Sequence, residues 1–274
     1  MMTTTDVGGV VRRINVDYKK LKAAYDQNND SLCLNLVNGL KKQLILLPTF
    51  LNPAAASATW LEEVTLTREV LEYAVLVSAR LEDLASFELY FNQLSVYYTD
   101  IDPTKLKESP LYSLILGLNL VRLLVDDRIA QFHTELEKVP NHIYAPNAYV
   151  RFAVLLERYL MEGSYSKLLN SRDQAPSKEY IPIVGMLEKT VRQGVAECIP
   201  HSYAKLSFER AQKILMVDST DAVREIGKQY EWELGKDGAS FVFTRREDIA
   251  KREVPFQEML GHHLNFAADL QRIV

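Results

Sequence analysis

The chain has 274 residues, of which 47% are hydrophobic and 25% are charged. This composition is that of a globular protein with a sizeable core, and the length predicts two packed parts rather than one. The 32 basic and 36 acidic residues give a net charge of −4. No overall positive field therefore draws the protein to phosphates or to anionic lipid.

Apolar residues spaced three and four apart predict four amphipathic helices within the first hundred residues. The positions that share this spacing are Val11, Ile14, Tyr18, Leu21, Tyr25, Leu36, Leu40, Leu44, Leu47, Leu66, Val70, Ala74, Val77, Leu81, Leu84, Phe87, Phe91, Leu94 and Tyr98. Residues 28–30 are predicted to end the first helix and cap the second. Pro48 is predicted to stop the second helix, and Asp83 to start the fourth.

A helical hairpin is predicted between residues 111 and 137. Its apolar positions are Leu111, Leu114, Ile115, Leu118, Val121, Leu124, Ile129, Phe132 and Leu136. Asp126 or Asp127 is expected to cap the second helix, because a short carboxylate accepts the free N–H groups of a first turn. Two antiparallel helices joined by so short a turn are the unit of a helical-repeat scaffold.

The same pattern returns weakly elsewhere in the chain. Residues 84–88 match residues 129–133 in position after an acidic turn, and residues 162–165 open a third such turn. Because the offsets are unequal, the pattern predicts a degenerate, TPR-like helical repeat over residues 1–177.

The character of the sequence changes near residue 200. A helix over residues 179–199, a short helix over 208–216 capped by Ser207 and a third helix starting at 218–220 are predicted. Residues 232–234 and 240–243 then alternate apolar and polar side chains around a glycine-containing turn, which indicates a β-hairpin. Three helices followed by a hairpin form a winged-helix arrangement, which is predicted over residues 178–248.

A last helix is predicted from Pro255 to about Arg272, within a terminal part of residues 249–274. Its apolar residues Phe256, Leu260, His263, Ala267, Leu270 and Val274 follow a four-three alternation. Such a narrow stripe is typical of a helix that packs on other helices, so we expect it to dock on a partner.

Motifs for catalysis are not found in the sequence. It contains no Gly-rich phosphate loop, His-Glu-x-x-His helix or Gly-x-Ser-x-Gly elbow. The neighbours His262 and His263 point about 100° apart on a helix and make a poor metal-chelating pair. Cys33 and Cys198 are expected to be small buried residues in a reducing compartment. We therefore expect no enzymatic activity, no metal and no cofactor.

Nucleic-acid binding is a weaker hypothesis. The candidate recognition helix carries Asp221, Arg224, Glu225, Lys228 and Glu231, which are net acidic, whereas a helix that reads DNA needs exposed basic or amide side chains. Arg245 and Arg246 are followed at once by two acidic residues, and residues 235–238 match the GxxG pattern of KH domains only at its two glycines. Contact with proteins is favoured over contact with nucleic acid.

Longer strings of residues carry a family resemblance. These are residues 87–94 (Phe-Glu-Leu-Tyr-Phe-Asn-Gln-Leu), 117–124 (Gly-Leu-Asn-Leu-Val-Arg-Leu-Leu), 132–137 (Phe-His-Thr-Glu-Leu-Glu) and 159–165 (Tyr-Leu-Met-Glu-Gly-Ser-Tyr). In these strings, and in its order of helical repeats, winged helix and final helix, the chain resembles the proteasome non-ATPase regulatory subunit 8 family, whose members are PCI-domain proteins of the regulatory-particle lid. The match runs from about residue 66 to the end.

The resemblance implies a non-catalytic structural and assembly subunit of that lid, a hetero-oligomer in cytoplasm and nucleus. It places the wing, residues 232–243, on neighbouring PCI subunits, and the terminal helix in a bundle that supports joining of the lid to the base. The interface residues implied are Trp232, Phe241, Phe243, Phe256, Leu260, Leu264, Ala267, Leu270 and Ile273. No nucleic acid and no membrane are expected among the partners.

Two alternatives stay open at this point. The first is a PCI subunit of another assembly, the COP9 signalosome or translation initiation factor 3. The second is a winged-helix protein that binds RNA or DNA. The identity of the partner distinguishes them, because fold and charge do not.

Overall fold

The computed structural model of the chain describes residues 4–50, 52, 59–101, 106–107, 109–139, 147–217, 219–235, 240–243 and 256–273. Within these ranges it contains twelve α-helices and three short strands, and the predicted mostly α-helical class is confirmed. Two compact units are formed, residues 1–194 and 195–274. The predicted functional division at residues 177 and 248 stays a prediction.

The first unit consists of helices that pair in chain order. They are α1 (Thr4–Asp26), α2 (Asp30–Leu44), α3 (Trp60–Arg80), α4 (Leu84–Thr99), α5 (Tyr112–Val125), α6 (Ile129–Glu137), α7 (Ala148–Met161), α8 (Tyr165–Leu169), a 3₁₀ turn (Ser171–Gln174) and the first part of α9 (Tyr180–Ser202). Each of α1, α3, α5 and α7 packs on the helix that follows it, and α5 also packs on α7. Helix α2 ends at Leu44, earlier than the predicted stop at Pro48.

The four hairpins share one turn geometry. The middle residue of each connection, Asn28, Glu82, Asp127 or Gly163, has a left-handed backbone with φ of 56°, 59°, 56° or 69°. The next residue donates its N–H to a carbonyl five positions back, as from Asp83 to Ser78 at 3.1 Å. This is the Schellman motif, which satisfies the free carbonyls at a helix end. The predicted repeat therefore has a structural counterpart in its turns.

A fully buried residue follows each of these turns. Cys33, Phe87, Phe132 and Leu168 each occupy the fourth position of their helix, and each is 0% exposed. Their backbone N–H groups make the first helical hydrogen bond of the second helix in each hairpin. The second helix of each hairpin thus has a fully buried side chain in its first turn, directly after the chain reverses.

The predicted capping of α6 by Asp126 or Asp127 is wrong. Asp126 closes α5 instead, and its carboxylate accepts a hydrogen bond from Arg122 Nη1 at 3.0 Å. Asp127 occupies the left-handed position of the turn. The residue before α6 is Arg128, which makes no side-chain cap. The carboxylate of Asp126 that was expected to cap α6 therefore binds the buried guanidinium of Arg122 instead.

The second unit has the predicted order of helices and hairpin. It contains the end of α9, β1 (Lys205–Ser207), α10 (Phe208–Leu215), α11 (Thr220–Gln229), β2 (Glu233–Leu234), β3 (Ser240–Val242) and α12 (Phe256–Ile273). The strands form an antiparallel sheet in the order β1-β3-β2, with Leu206 and Leu234 both opposite Phe241. Strand β1 is an addition to the prediction.

The core of this unit is aromatic. Phe241 lies 4.8 Å from Phe208 and 5.1 Å from Trp232 between ring centroids, and Trp232 lies 5.5 Å from Phe243. A Cβ on Gly227 of α11 would lie 2.8 Å from the Phe241 ring. Glycine at this position lets α11 approach the sheet closely enough to cover the ring of Phe241. The hairpin is therefore held in the unit by the packing of its aromatic side chains.

Candidate protein-interaction surface

Helix α12 is the main exposed apolar surface of the described chain. Its 18 residues carry six large apolar side chains that are 48% to 70% exposed. These are Phe256, Met259, Leu260, Leu264, Phe266 and Leu270. Contiguous apolar surface of this kind marks a site of contact with a protein or a membrane.

The apolar side chains of α12 share one side of the helix. At 100° per residue, the six large residues and Ala267 fall within about half of the circumference. Glu258, Asn265 and Arg272 fall on the opposite half. We call the apolar half the α12 face. Its chemistry is that of an amphipathic helix that packs on other helices.

The predicted site residues of the terminal helix are all placed on this element. Phe256, Leu260, Leu264, Ala267 and Leu270 are exposed. Ile273 ends the helix, and its side chain, like Val274, lies outside the described residues.

Sequence reasoning missed Met259 and Phe266, because a four-three alternation selects a stripe narrower than the α12 face. A full projection at 100° per residue would have found both side chains. Phe266 is 63% exposed, more than Leu260 or Leu270.

The predicted interface residues of the wing have a different position. Trp232, Phe241 and Phe243 are 7%, 2% and 8% exposed and belong to the core of the second unit. Their rings pack inside the unit and hold the hairpin in place. A neighbouring subunit would therefore contact other residues of the wing. Leu234 on the edge strand β2 is 63% exposed and offers such a surface. Contact through the wing stays a prediction.

The candidate recognition helix α11 shows no strong positive surface in its described residues. Arg224 Nη1 lies 3.5 Å from a carboxylate oxygen of Asp221, and its guanidinium lies 5.5 Å from the centroid of Phe208. Glu225 and Lys228 add one charge of each sign. Arg245 and Arg246 lie outside the described residues, as do the acidic residues that follow them.

A buried network of ionisable groups on α3 is arranged for packing. Glu72 of α3 accepts a hydrogen bond from Tyr98 Oη at 2.8 Å and lies 3.7 Å from Arg68 Nε. Burial raises the pKa of Glu72. Arg68 in turn donates to the Lys107 carbonyl at 2.7 Å. This network fastens a loop and α4 to α3 and is closed to a substrate, since Glu72 is 1% exposed.

Metal sites and membrane spans are the last two features of the described residues that bear on function. No group of three or more His, Cys, Asp or Glu side chains there is placed to hold a metal ion. No helix of the described chain is long and apolar enough to cross a bilayer.

Helical hairpins followed along the chain by a winged helix are the architecture of a PCI-type scaffold protein. The model of the CSN8/PSMD8/EIF3K family matches residues 110–252. The chain belongs to this family.

Curated relatives are similar over nearly the whole length. The 26S proteasome non-ATPase regulatory subunit 8 homolog A of Arabidopsis thaliana is 34% identical over 267 residues, which cover 95% of this chain and 97% of that protein. The 26S proteasome regulatory subunit rpn12 of Schizosaccharomyces pombe is 29% identical over 82% of this chain and 80% of its own. RPN12 of Saccharomyces cerevisiae is 28% identical, covering 89% of each chain. The resemblance to the regulatory subunit 8 family is confirmed.

Proposed function

We propose that the chain is a non-catalytic structural and assembly subunit of the proteasome regulatory-particle lid, acting in ubiquitin-dependent protein degradation. Its partners would be other PCI subunits of the lid and subunits of the base, in a hetero-oligomer of cytoplasm and nucleus. It would bind neither nucleic acid nor membrane. The relatives named as proteasome regulatory subunits support the choice of assembly.

The observation that carries the proposal is the α12 face. Most of the stability of a helix in a protein comes from packing of its apolar side against other elements. Here the apolar side chains are exposed along the whole helix. Because each large side chain contributes about 1.5–3 kcal/mol when it is fully buried, a helical bundle of partner subunits is the environment that this face fits. The wing, through Leu234 and the edge of β2, would contact a neighbouring PCI subunit.

The test compares two adjacent residues of α12. Leu264→Glu places a charge on the α12 face, and Asn265→Glu places the same side chain on the opposite half. Each variant, tagged, replaces the natural chain in cells, and the 26S complexes are purified and quantified by native gels and mass spectrometry. We expect Leu264→Glu to lower incorporation at least tenfold and Asn265→Glu to leave it unchanged.

The melting temperature of each purified variant serves as the control for folding. Since both positions are exposed, neither substitution should change it. Equal incorporation of both variants would remove the role of the α12 face. Recovery of COP9 signalosome or initiation factor 3 subunits instead of proteasome subunits would keep the fold and overturn the assigned assembly. Recovery of nucleic acid without protein partners would overturn both.

A further inference from the structure

A second surface lies in the first unit, along the outer side of α7. An open groove of about 500 Å³ runs between this helix and residues 174–176. The helix contributes Arg151, Phe152, Leu155 and Arg158, and the opposite wall contributes Gln174 and Pro176. We call it the α7 groove. It involves none of the residues of α12 or of the wing.

The floor of the α7 groove is apolar and held in place. Phe152 is 6% exposed and packs edge-on against Tyr180, with 5.7 Å between ring centroids. Leu155 and Pro176 are half-buried beside it. A side chain that enters the groove therefore meets preformed apolar surface, so little ordering of the protein is needed for binding.

Two arginines stand at the ends of this floor. Arg151 is exposed and forms no ion pair with the described residues. Arg158 Nε donates to Glu162 Oε1 at 2.6 Å, in a pair whose side chains are 70% and 43% exposed. Such exposed pairs are worth little, so an incoming carboxylate can replace Glu162 at small cost. Among the described residues, no acidic side chain lines the groove.

The spacing of the two arginines predicts the spacing of the carboxylates that a ligand would need. Arg151 and Arg158 are separated by seven residues, or roughly 10 Å along a helix. An extended chain advances about 3.3 Å per residue, so acidic residues at positions i and i+3 span the same distance. The two residues between them lie over the apolar floor. An arginine guanidinium binds carboxylates well, through paired N–H donors.

We propose that the α7 groove binds an extended acidic segment of a partner protein, with two carboxylates three residues apart on either side of apolar side chains. Charge complementarity and the apolar floor argue for a peptide over a nucleic acid, whose phosphates are not separated by apolar groups. The inference goes beyond the proposed docking of α12, because it assigns a recognition function to the helical repeat itself.

The test uses the full chain and a defined probe. A fluorescein-labelled octapeptide, Gly-Ser-Glu-Leu-Phe-Glu-Ser-Gly, is titrated with the protein and followed by fluorescence anisotropy. We expect saturable binding that weakens at least tenfold for Arg151→Glu with Arg158→Glu. The matched control is a second double variant of equal charge change, Arg172→Glu with Lys167→Glu, both exposed residues outside the groove lining. It should bind as the natural chain does.

Charge reversal and spacing make the test specific. A peptide with Lys-Leu-Phe-Lys at its centre should bind the Arg151→Glu, Arg158→Glu variant and not the natural chain. Among peptides with zero to five residues between the two glutamates, two intervening residues should bind most tightly. Equal melting temperatures of all variants exclude unfolding as the cause.

Three results would overturn the proposal. These are no saturable binding at millimolar peptide, equal loss of binding in the control variant, and binding that is indifferent to the spacing of the glutamates. Tighter binding of a twelve-residue oligothymidylate at the same arginines would replace the peptide with a phosphate backbone. None of these results bears on incorporation through α12, so the failure of one proposal is distinguishable from that of the other.

Discussion

Gly117 provides the sharpest test of how the first unit is packed. It lies in α5, where a Cβ would overlap Oη of Tyr180 and would lie 2.9 Å from Cβ of Tyr149. Tyr180 cannot easily move away, because it is 0% exposed, stacks on Tyr149 and donates to the Leu114 carbonyl at 3.2 Å. Gly117→Ala should therefore destabilise the unit, although alanine is the better helix former.

The magnitude follows from three contributions. Overpacking of a closed core costs about 1–3 kcal/mol. Loss of the buried hydrogen bond from Tyr180 to Leu114 costs about 1–3 kcal/mol more. Alanine in place of glycine returns about 1 kcal/mol of helix propensity. We expect the free energy of unfolding to fall by about 3 kcal/mol, within a range of about 1–5 kcal/mol.

Urea unfolding followed by tryptophan fluorescence measures this change. The chain has two tryptophans, Trp60 in the first unit and Trp232 in the second, so a Trp232→Phe background leaves Trp60 as the reporter. Gly39→Ala in α2 is the control, since its Cβ would meet nothing within 4 Å. It should gain up to about 1 kcal/mol.

A second substitution tests the cause. In a Tyr180→Phe background the overlapping oxygen is absent, so Gly117→Ala should cost at least about 1 kcal/mol less than it does alone. If Gly117→Ala is as well tolerated as Gly39→Ala, the close packing of α5 against Tyr149 and Tyr180 is refuted.

Four further substitutions have expected outcomes in the same unfolding assay. Phe132→Ala should cost about 3–5 kcal/mol, because a fully buried ring holds α6; a loss below about 1 kcal/mol would contradict its burial. Asp127→Gly should gain about 0.5–1 kcal/mol by relieving a left-handed backbone, and Gly163→Ala should lose a similar amount. Asp83→Ala should cost about 1 kcal/mol at neutral pH through loss of the cap on α4. Hydrogen bonds from Ser86 hold the pKa of Asp83 below its usual 3.8, so this difference should be constant above about pH 5 and vanish as the pH falls through the lowered value.

Helix positions and the order of the winged helix could be predicted from periodicity alone. Phe87, Leu94 and Ile115 are 0% exposed, as the stripe of apolar residues requires. The end of α2 was placed too late, because Pro48 excludes a continuing helix but does not exclude an earlier end. Strand β1 was missed, because its three residues run directly into α10 and lack the glycine-containing turn that marks the hairpin of β2 and β3.

Features that depend on tertiary contacts could not be predicted from the sequence. Glu82 and Asp127 hold left-handed positions that composition would give to glycine. The buried Arg122 donates hydrogen bonds to the carboxylate of Asp126 and to the side-chain amide oxygen of Asn119. The second bond is 3.2 Å long and comes from Nε. A guanidinium that is 4% exposed must find acceptors, and this need becomes apparent only when α5 is placed in the core.

The exposure of the predicted interface residues could be predicted only in part, for a related reason. Apolar residues at helical spacing identify a face but do not tell whether that face is covered within the same chain. In the sequence, nothing distinguishes the aromatic residues of the wing from those of α12. In the structure, Trp232 and Phe241 are core residues, whereas Phe256 is 70% exposed.

Docking of α12 alone would give modest affinity, and this bears on how the chain would be held in an assembly. The six large apolar side chains of the α12 face are 48% to 70% exposed, so burying the exposed part gives about 5–10 kcal/mol in all. Association costs about 4–15 kcal/mol in lost freedom of motion. The difference is small enough that further contacts, at the wing and at the α7 groove, would decide whether a complex persists. Contacts within one assembly multiply their effects, because the second forms at the effective concentration set by the first. Loss of one face should therefore be far more damaging to incorporation than to the stability of the isolated chain.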